Sequence, residues 1–298
     1  MRSRVVPDKQ PENIARPEYT RTAVPQVVIG DIEQRLPIYE RIADVDAVRK
    51  FTVLLVAVVI WQLYTTGFAV PEMIFPTFTE TLEALYRGFV RYDLLDQLWA
   101  SIKVLLIGYS IGLLIGAALT FLAVSSRIGG DILGTLTAML NPLPAIALLP
   151  LALIWFGLGT KSLVFVLLHS IIWPVALNTH TGFMGVSETL RMVGRNYGLR
   201  HVGYVAKILM PAAFPSILAG MKLGWAFAWR TLIAAELVFG AAADSGGLGW
   251  FIFASRNELD IPGAFAGLFM VILIGFLVEN VLFRNVEVRT VRRWGMQT

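Results

Sequence analysis

Residues 194–216 read "GRNYGLRHVGYVAKILMPAAFPS" and lie between two of the most apolar runs in the chain. The stretch carries three glycines, two prolines, two arginines, a lysine and a histidine, yet Val202, Val205 and Leu209 recur among them at helical spacing. A solvated loop has no such periodicity. The segment reads as two short amphipathic helices hinged at Gly198, with those three residues against an apolar body and Arg195, Arg200 and His201 free to meet a partner. What that body is decides the fold.

Of the 298 residues, 56% are hydrophobic and 15% charged, against roughly 25% charged in a soluble domain. The body is therefore a membrane protein with the lipid bilayer as its solvent. A net charge of +4 and a pI of about 9.4 report the charge asymmetry of membrane loops, so no nucleic-acid partner is expected. With no cysteine, neither disulfides nor a Cys-based metal site can form. His169, His180 and His201 match no paired-ligand spacing, so no metal site is expected. The first fifty residues hold nine basic and eight acidic side chains and five prolines, a mix that predicts a flexible tail over 1–48. Within it, "LPIYERIADVDAVRK" at 36–50 can form a short amphipathic helix leading into the membrane. No signal peptide is visible, because the first long apolar run starts near Phe51.

A bilayer core of roughly 30 Å needs about 20 apolar residues in helical form. Six spans result, at roughly 50–69, 101–124, 132–155, 162–182, 213–240 and 263–283. None alternates as barrel strands would, so the fold class is all-α: a polytopic membrane protein with about six transmembrane helices. With both termini inside, the inner segments hold 18 of the 25 lysines and arginines. The outer ones hold Arg87, Arg91, Lys161 and Arg256. That topology puts 194–216 on the cytoplasmic side, between the fourth and fifth spans, and makes 285–298 a basic cytoplasmic tail.

Gly108, Gly112 and Gly116 recur every four residues in the second span, and Gly220 and Gly224 repeat the device in the fifth. Such strips let a helix approach closely, within the chain or from another subunit. The third span contains Pro142, Pro144 and Pro150, and the fourth contains Trp173-Pro174. Interrupted backbone at membrane depth is tolerated where it lines a cavity, so a pathway is expected here. Arg230 lies deep in the fifth span beside Trp229, suited either to a buried ion pair or to an anionic solute, and able to stack on Trp225 or Trp229. The expected path is Pro142, Pro144, Trp173, Pro174, Trp229 and Arg230. Glu236, six residues on, falls on another face and is expected to be structural. Lys103 and Lys222 are placed near span ends, where they can snorkel, and Glu279 and Asn280 at the interface.

The string "GLGTKS" at 157–162 lacks the glycine before its lysine that a phosphate loop requires, and it joins two apolar spans. No other stretch offers a nucleotide site, and no set of catalytic side chains is evident. Gly198, however, is followed by nine residues and then by "ILMP" at 208–211. This resembles the EAA loop of permease subunits of ATP-binding-cassette importers: Glu-Ala-Ala, three residues, Gly, nine residues, Ile-x-Leu-Pro. Met192, Val193 and Gly194 stand where Glu-Ala-Ala would, and Met210 replaces the leucine. "LPLALIWFGLGTKS" at 149–162, "WRTLIAAELVFG" at 229–240 and "GGLGWFI" at 246–252 are similar to the third span, fifth span and following outer loop of the branch that includes nitrate, taurine and alkanesulfonate permeases.

The resemblance implies a permease domain over 49–284 with its coupling loop at 186–211, in a bacterial inner membrane. It implies a transport subunit, not an enzyme, with ATP and magnesium on partner ATPases and no cofactor in this chain. Docking on the ATPase is carried over to Arg195, Asn196, Tyr197, Gly198, Leu199, Arg200, His201, Val202 and Gly203, with Pro211 at the re-entry point. The other implied partners are a second permease copy, most simply a homodimer, and an extracytoplasmic binding protein. Together with Arg230, the resemblance makes the expected solute a small oxyanion such as a sulfonate, taurine, nitrate or a carboxylate. The competing reading is an ion-coupled transporter or membrane enzyme that needs no ATPase.

Overall fold

The computed structural model describes residues 46–239 and 246–293. The tail before Asp46, with most of the proposed helix at 36–50, lies outside the described residues, as do 240–245 and 294–298. Among the described residues every regular element is a helix. Two compact units divide at Leu54, and apart from the first helix, which crosses that point, the features below belong to the second, Leu55–Thr298. Five helices are long and apolar enough to cross a membrane, and a bent pair makes a sixth if it counts as one span.

The first helix, α1 (Asp46–Gly67), is followed by α2 (Phe78–Arg91), which begins at a capping box. Thr77 Oγ1 accepts the Glu80 amide at 3.1 Å, and Glu80 Oε2 accepts the Thr77 amide at 2.7 Å. The second span, α3 (Leu94–Ser125), has 32 residues and starts earlier than expected. At 1.5 Å per residue it measures about 48 Å, more than the bilayer core needs. Lys103 therefore lies well inside α3, over the ring of Trp99 at 5.6 Å.

The third span is not one straight helix. α4 (Arg127–Leu140) and α5 (Leu149–Phe156) meet at 88° through a short 3-10 turn at Ala145–Leu148. Pro142 and Pro144 cause the break: neither donates a backbone hydrogen bond, and Pro144 pushes Leu143 out of helical conformation.

The fourth span, α6 (Thr160–Met184), is the centre of the packing. A Cβ placed on Gly108, Gly112 or Gly116 would come within 3.0, 2.7 and 3.0 Å of Leu167, Ile171 and Val175. The glycine strip of α3 thus receives a row of α6 side chains at the same four-residue spacing. From the other side, Cβ atoms on Gly220 and Gly224 would meet Asn178 at 2.9 Å and Val175 at 3.2 Å. Both strips pack within the chain, which resolves the choice left open by their spacing. Tyr109 closes the triangle by donating to the Met221 carbonyl at 2.9 Å.

After α7 (Glu188–Asn196), the chain turns and runs through α8 (His201–Tyr204), a π turn (Val205–Leu209) and α9 (Met210–Phe239). The fifth span thus begins near Val202, not at 213, and stays helical through Pro211. The wide turn ends at Leu209, two residues before that proline, whose missing amide breaks the regular ladder. The segment after Gly247, expected as a loop, is a helix, α10 (Leu248–Asn257). α11 (Ile261–Leu277) continues through a π turn (Val278–Phe283), α12 (Arg284–Glu287) and a last π turn (Val288–Arg292). The basic segment from 285 is thus helical as far as Arg292. Lys222 does not snorkel: its Nζ lies 2.7 Å from Glu287 and 3.8 Å from Glu279, tying this last helix to α9. Val291, Phe283 and Leu218 are buried together beside that contact.

Candidate functional site

Between the α4–α5 break, α6 and α9 lies a cavity of about 320 Å³, at the small end of the roughly 300–1,000 Å³ usual for small-molecule sites. The break contributes Asn141, Pro144 and Ile146; α6 contributes His169, Ser170, Trp173 and Pro174; α9 contributes Phe227, Arg230 and Thr231. Among the described residues Arg230 is the only formal charge in the wall, and no carboxylate lines it. Its Nε donates to the Ala226 carbonyl at 3.2 Å, one helical turn back, and its guanidinium lies over the Phe227 ring at 5.5 Å. Ser170 donates to the Thr231 hydroxyl at 2.9 Å, joining α6 to α9 across the floor. Trp173 Nε1 and His169 Nε2 are buried in the wall with no hydrogen-bond partner among the described residues. A wall with one cation, several donors and no acid favours an anion.

Four of the six expected path residues, Pro144, Trp173, Pro174 and Arg230, meet here. Pro142 makes the break but lies exposed outside the lining. Trp229 turns away: it is buried, and its Nε1 donates to the Val271 carbonyl on α11 at 3.1 Å. Its bond to α11 holds the Trp229 ring away from the cavity, so only its neighbour Arg230 reaches the wall. For the same reason the arginine stacks on Phe227 rather than on a tryptophan, while Trp225 packs against Tyr109 at 5.3 Å. The sequence reading missed Asn141, His169, Ser170, Phe227 and Thr231. A signal for His169 existed, since it precedes Trp173 by four residues and so shares its face.

The second candidate is the joint around Gly198. α7 ends in a Schellman motif: Gly198 has φ +69°, its amide bonds the Arg195 carbonyl at 2.9 Å, and the Leu199 amide bonds the Gly194 carbonyl at 3.0 Å. Gly194 lets the returning chain close in, because a Cβ there would lie 2.9 Å from the Tyr204 ring and 3.0 Å from Ile208. Arg191 fastens α7 to the end of α6, donating to the Phe183 carbonyl at 2.6 Å and the Val186 carbonyl at 3.1 Å.

Arg195, Asn196, Tyr197, Gly198 and Arg200 are exposed, Tyr197 at 81%. Leu199 and Gly203 are half-buried. His201 opens α8, but its side chain lies outside the described residues. Leu209 is fully buried and Val205 packs beside it, whereas Val202 is 65% exposed and does not face the body as expected. Pro211 is the second residue of α9.

Residues 108–290 match a family described as binding-protein-dependent transport system inner membrane component, a range that contains both the cavity and the joint. Over 244 residues the chain is 29% identical to a nitrate import permease protein of Synechocystis, covering 79% of this chain and 86% of that one. A taurine transport system permease protein of Escherichia coli is 28% identical over 231 residues, covering 76% and 82%. A putative ABC transporter permease protein of Methanocaldococcus jannaschii is 29% identical over 241 residues, covering 80% and 89%. Among solved structures, one described as an amino acid ABC transporter with histidines matches with a TM-score of 0.50 and 18% identity, over 69% of this chain and 97% of that one. At that identity the likeness is one of fold.

Proposed function

The chain belongs to the family of binding-protein-dependent transport system inner membrane components, and from that premise we propose that it is an importer permease for a small oxyanion, moved by a separate ATPase. The observation that carries this reading is a continuous helical run, Val202–Val238, that joins the exposed turn at Gly198 to the cavity at Arg230. The two points are about 40 Å apart along that run. A displacement of the joint by a partner therefore reaches the wall that holds the arginine, with no flexible linker between. Docking falls to Arg195 through Gly203, of which Arg195 to Gly198, Arg200 and Val202 are exposed, while Arg191 and Gly194 keep the element rigid.

ATP and magnesium reside on the partner ATPase. Two copies of the chain enclose the path in an inner membrane, with both termini in the cytoplasm, and a binding protein delivers the solute from outside. Binding of ATP favours one of two states, and the solute site opens alternately to each side. A sulfonate, taurine, nitrate or a carboxylate each offers the oxygen acceptors that Arg230, Asn141 and Thr231 can meet. An ion-coupled transporter would need a carboxylate in the path, but Glu236 lies outside the cavity wall, bound to Ser101 and to the Gly249 amide.

Co-purification and vesicle uptake test the reading. The tagged chain should bring down an ATPase subunit, and reconstituted vesicles should take up the oxyanion only with ATP and binding protein present. A chain that purifies without an ATPase and transports without ATP contradicts it.

A further inference from the structure

Two neighbouring cavities flank the joint, the first lined in part by the docking residues Arg195, Leu199 and Arg200. The first, about 480 Å³, is bounded by Arg191, Arg195 and Arg200, by Tyr204, and by Ser125 at the end of α3. Among the described residues no carboxylate lines it, and its floor is apolar, with Phe121, Val124, Leu199 and Leu209. Arg191 is held by backbone carbonyls. Among the described residues Glu188 is the one carboxylate near the arginines, exposed and 4.0 Å from Arg191 and 3.8 Å from Arg195, a pairing worth little in water.

The second cavity, about 520 Å³, begins where the first ends, since Phe121 and Val205 wall both. It runs between α3, α6 and the α8–α9 segment and is lined by Leu113, Ala117, Ile217 and Met221, with Thr120 and Thr179 the only polar side chains. Thr120 is occupied with the Gly116 carbonyl at 2.8 Å. From Leu113 to Phe121 the trough follows α3 for roughly 12 Å.

We infer that this pair of cavities holds one anionic phospholipid, its phosphate among the three arginines and one acyl chain in the trough. The argument is one of contiguity and charge. A soluble anion would use the basic basin and leave the apolar trough empty, and a neutral lipid would use the trough and leave three arginines to share the one carboxylate of Glu188. Only an amphiphile with an anionic head satisfies both, and the basin sits at the end of a span, where headgroups lie. Basic pockets between helices at the cytoplasmic surface are suited to such heads. Because Arg195 and Arg200 flank Gly198, the bound lipid stiffens the joint, which makes coupling to the ATPase dependent on anionic lipid.

The test uses the full-length chain, with native mass spectrometry counting retained lipid and thermal shift reading affinity. Phosphatidylglycerol, phosphatidylcholine and inorganic phosphate are the three probes. Phosphatidylglycerol should be retained and should raise Tm, phosphatidylcholine should do so weakly, and inorganic phosphate should neither raise Tm nor displace the lipid. Replacing both Arg195 and Arg200 with Gln should weaken phosphatidylglycerol binding roughly tenfold or more, and Ala117→Phe should obstruct the chain without touching the basin. Equal binding of the two lipids, unchanged binding in the arginine variant, or equal protection by inorganic phosphate overturns the assignment. So does an Ala117→Phe chain that binds lipid normally but no longer forms dimers, because the trough is then a subunit interface.

Discussion

The Ser101 hydroxyl lies 2.8 Å from both carboxylate oxygens of Glu236 and accepts the Leu248 amide at 2.8 Å. Glu236 also accepts the Gly249 amide at 2.9 Å, so one buried node joins α3, α9 and the start of α10. A Cβ on Gly247 would collide with the carboxylate, and one on Gly249 would lie 2.6 Å from Glu236 Cβ. Ser101→Ala leaves an amide and a carboxylate without their shared partner, a loss of about 1–3 kcal/mol. Melting of the purified chain should show a clear fall in Tm, while Ser101→Thr, which keeps the hydroxyl, should fall less.

The glycine strip makes a second prediction with an internal control. Gly112→Ala places a methyl 2.7 Å from Ile171 Cγ2 and should destabilise by about 1–3 kcal/mol. Gly134→Ala, in α4 with nothing within 4 Å of its Cβ, should be neutral or stabilising by up to about 1 kcal/mol. Thermal stability of the two variants in one detergent decides the matter, and similar losses at both sites would count against α3–α6 packing as the cause.

At the joint, Gly198→Val forces a β-branched residue to φ +69°, where L residues other than glycine lose roughly 1–2 kcal/mol or more. Transport and ATPase coupling should be lost while membrane insertion is retained. Gly203→Ala, with no neighbour within 4 Å and no positive φ, should couple normally. Uptake and ATPase rates in reconstituted vesicles separate the two.

Lys222 gives a fourth. It contacts both Glu279 and Glu287, so Lys222→Met removes the ionic tie between α9 and the last helix. Limited proteolysis should cut earlier between 278 and 293 in that variant, and Glu287→Gln in the same chain should recover part of the protection. Equal cleavage in all three chains would mean that the ion pair does not hold the helix.

These contacts also mark what a linear reading can reach. The spans were legible because lipid demands long apolar helices, and the strips at Gly108 and Gly220 were legible because small residues repeat every turn. Their partners were not, since four-residue spacing suits a neighbour in the same chain as well as one outside it. Lys222 was misplaced because its carboxylates lie 57 and 65 positions away, beyond any local pattern. Trp229 adjoins Arg230 in the sequence, but its ring is held by the Val271 carbonyl 42 positions away. The break at Pro142 and Pro144 was visible as an interruption, but its 88° angle comes from packing. In the site, His169 and Asn141 became functional candidates only when the break folded them beside α9.

The central claim, that a separate ATPase moves this chain through the exposed turn at Gly198, is tested most directly by cross-linking. The chain has no cysteine, so Tyr197→Cys, 81% exposed beside the turn, provides a single reactive site. In membranes holding the transporter, a cysteine-directed photo-cross-linker at 197 should join the chain to the ATPase subunit, whereas one at 258, on the opposite side of the expected topology, should not. Absence of an ATPase adduct from 197, or an equal adduct from 258, contradicts the account.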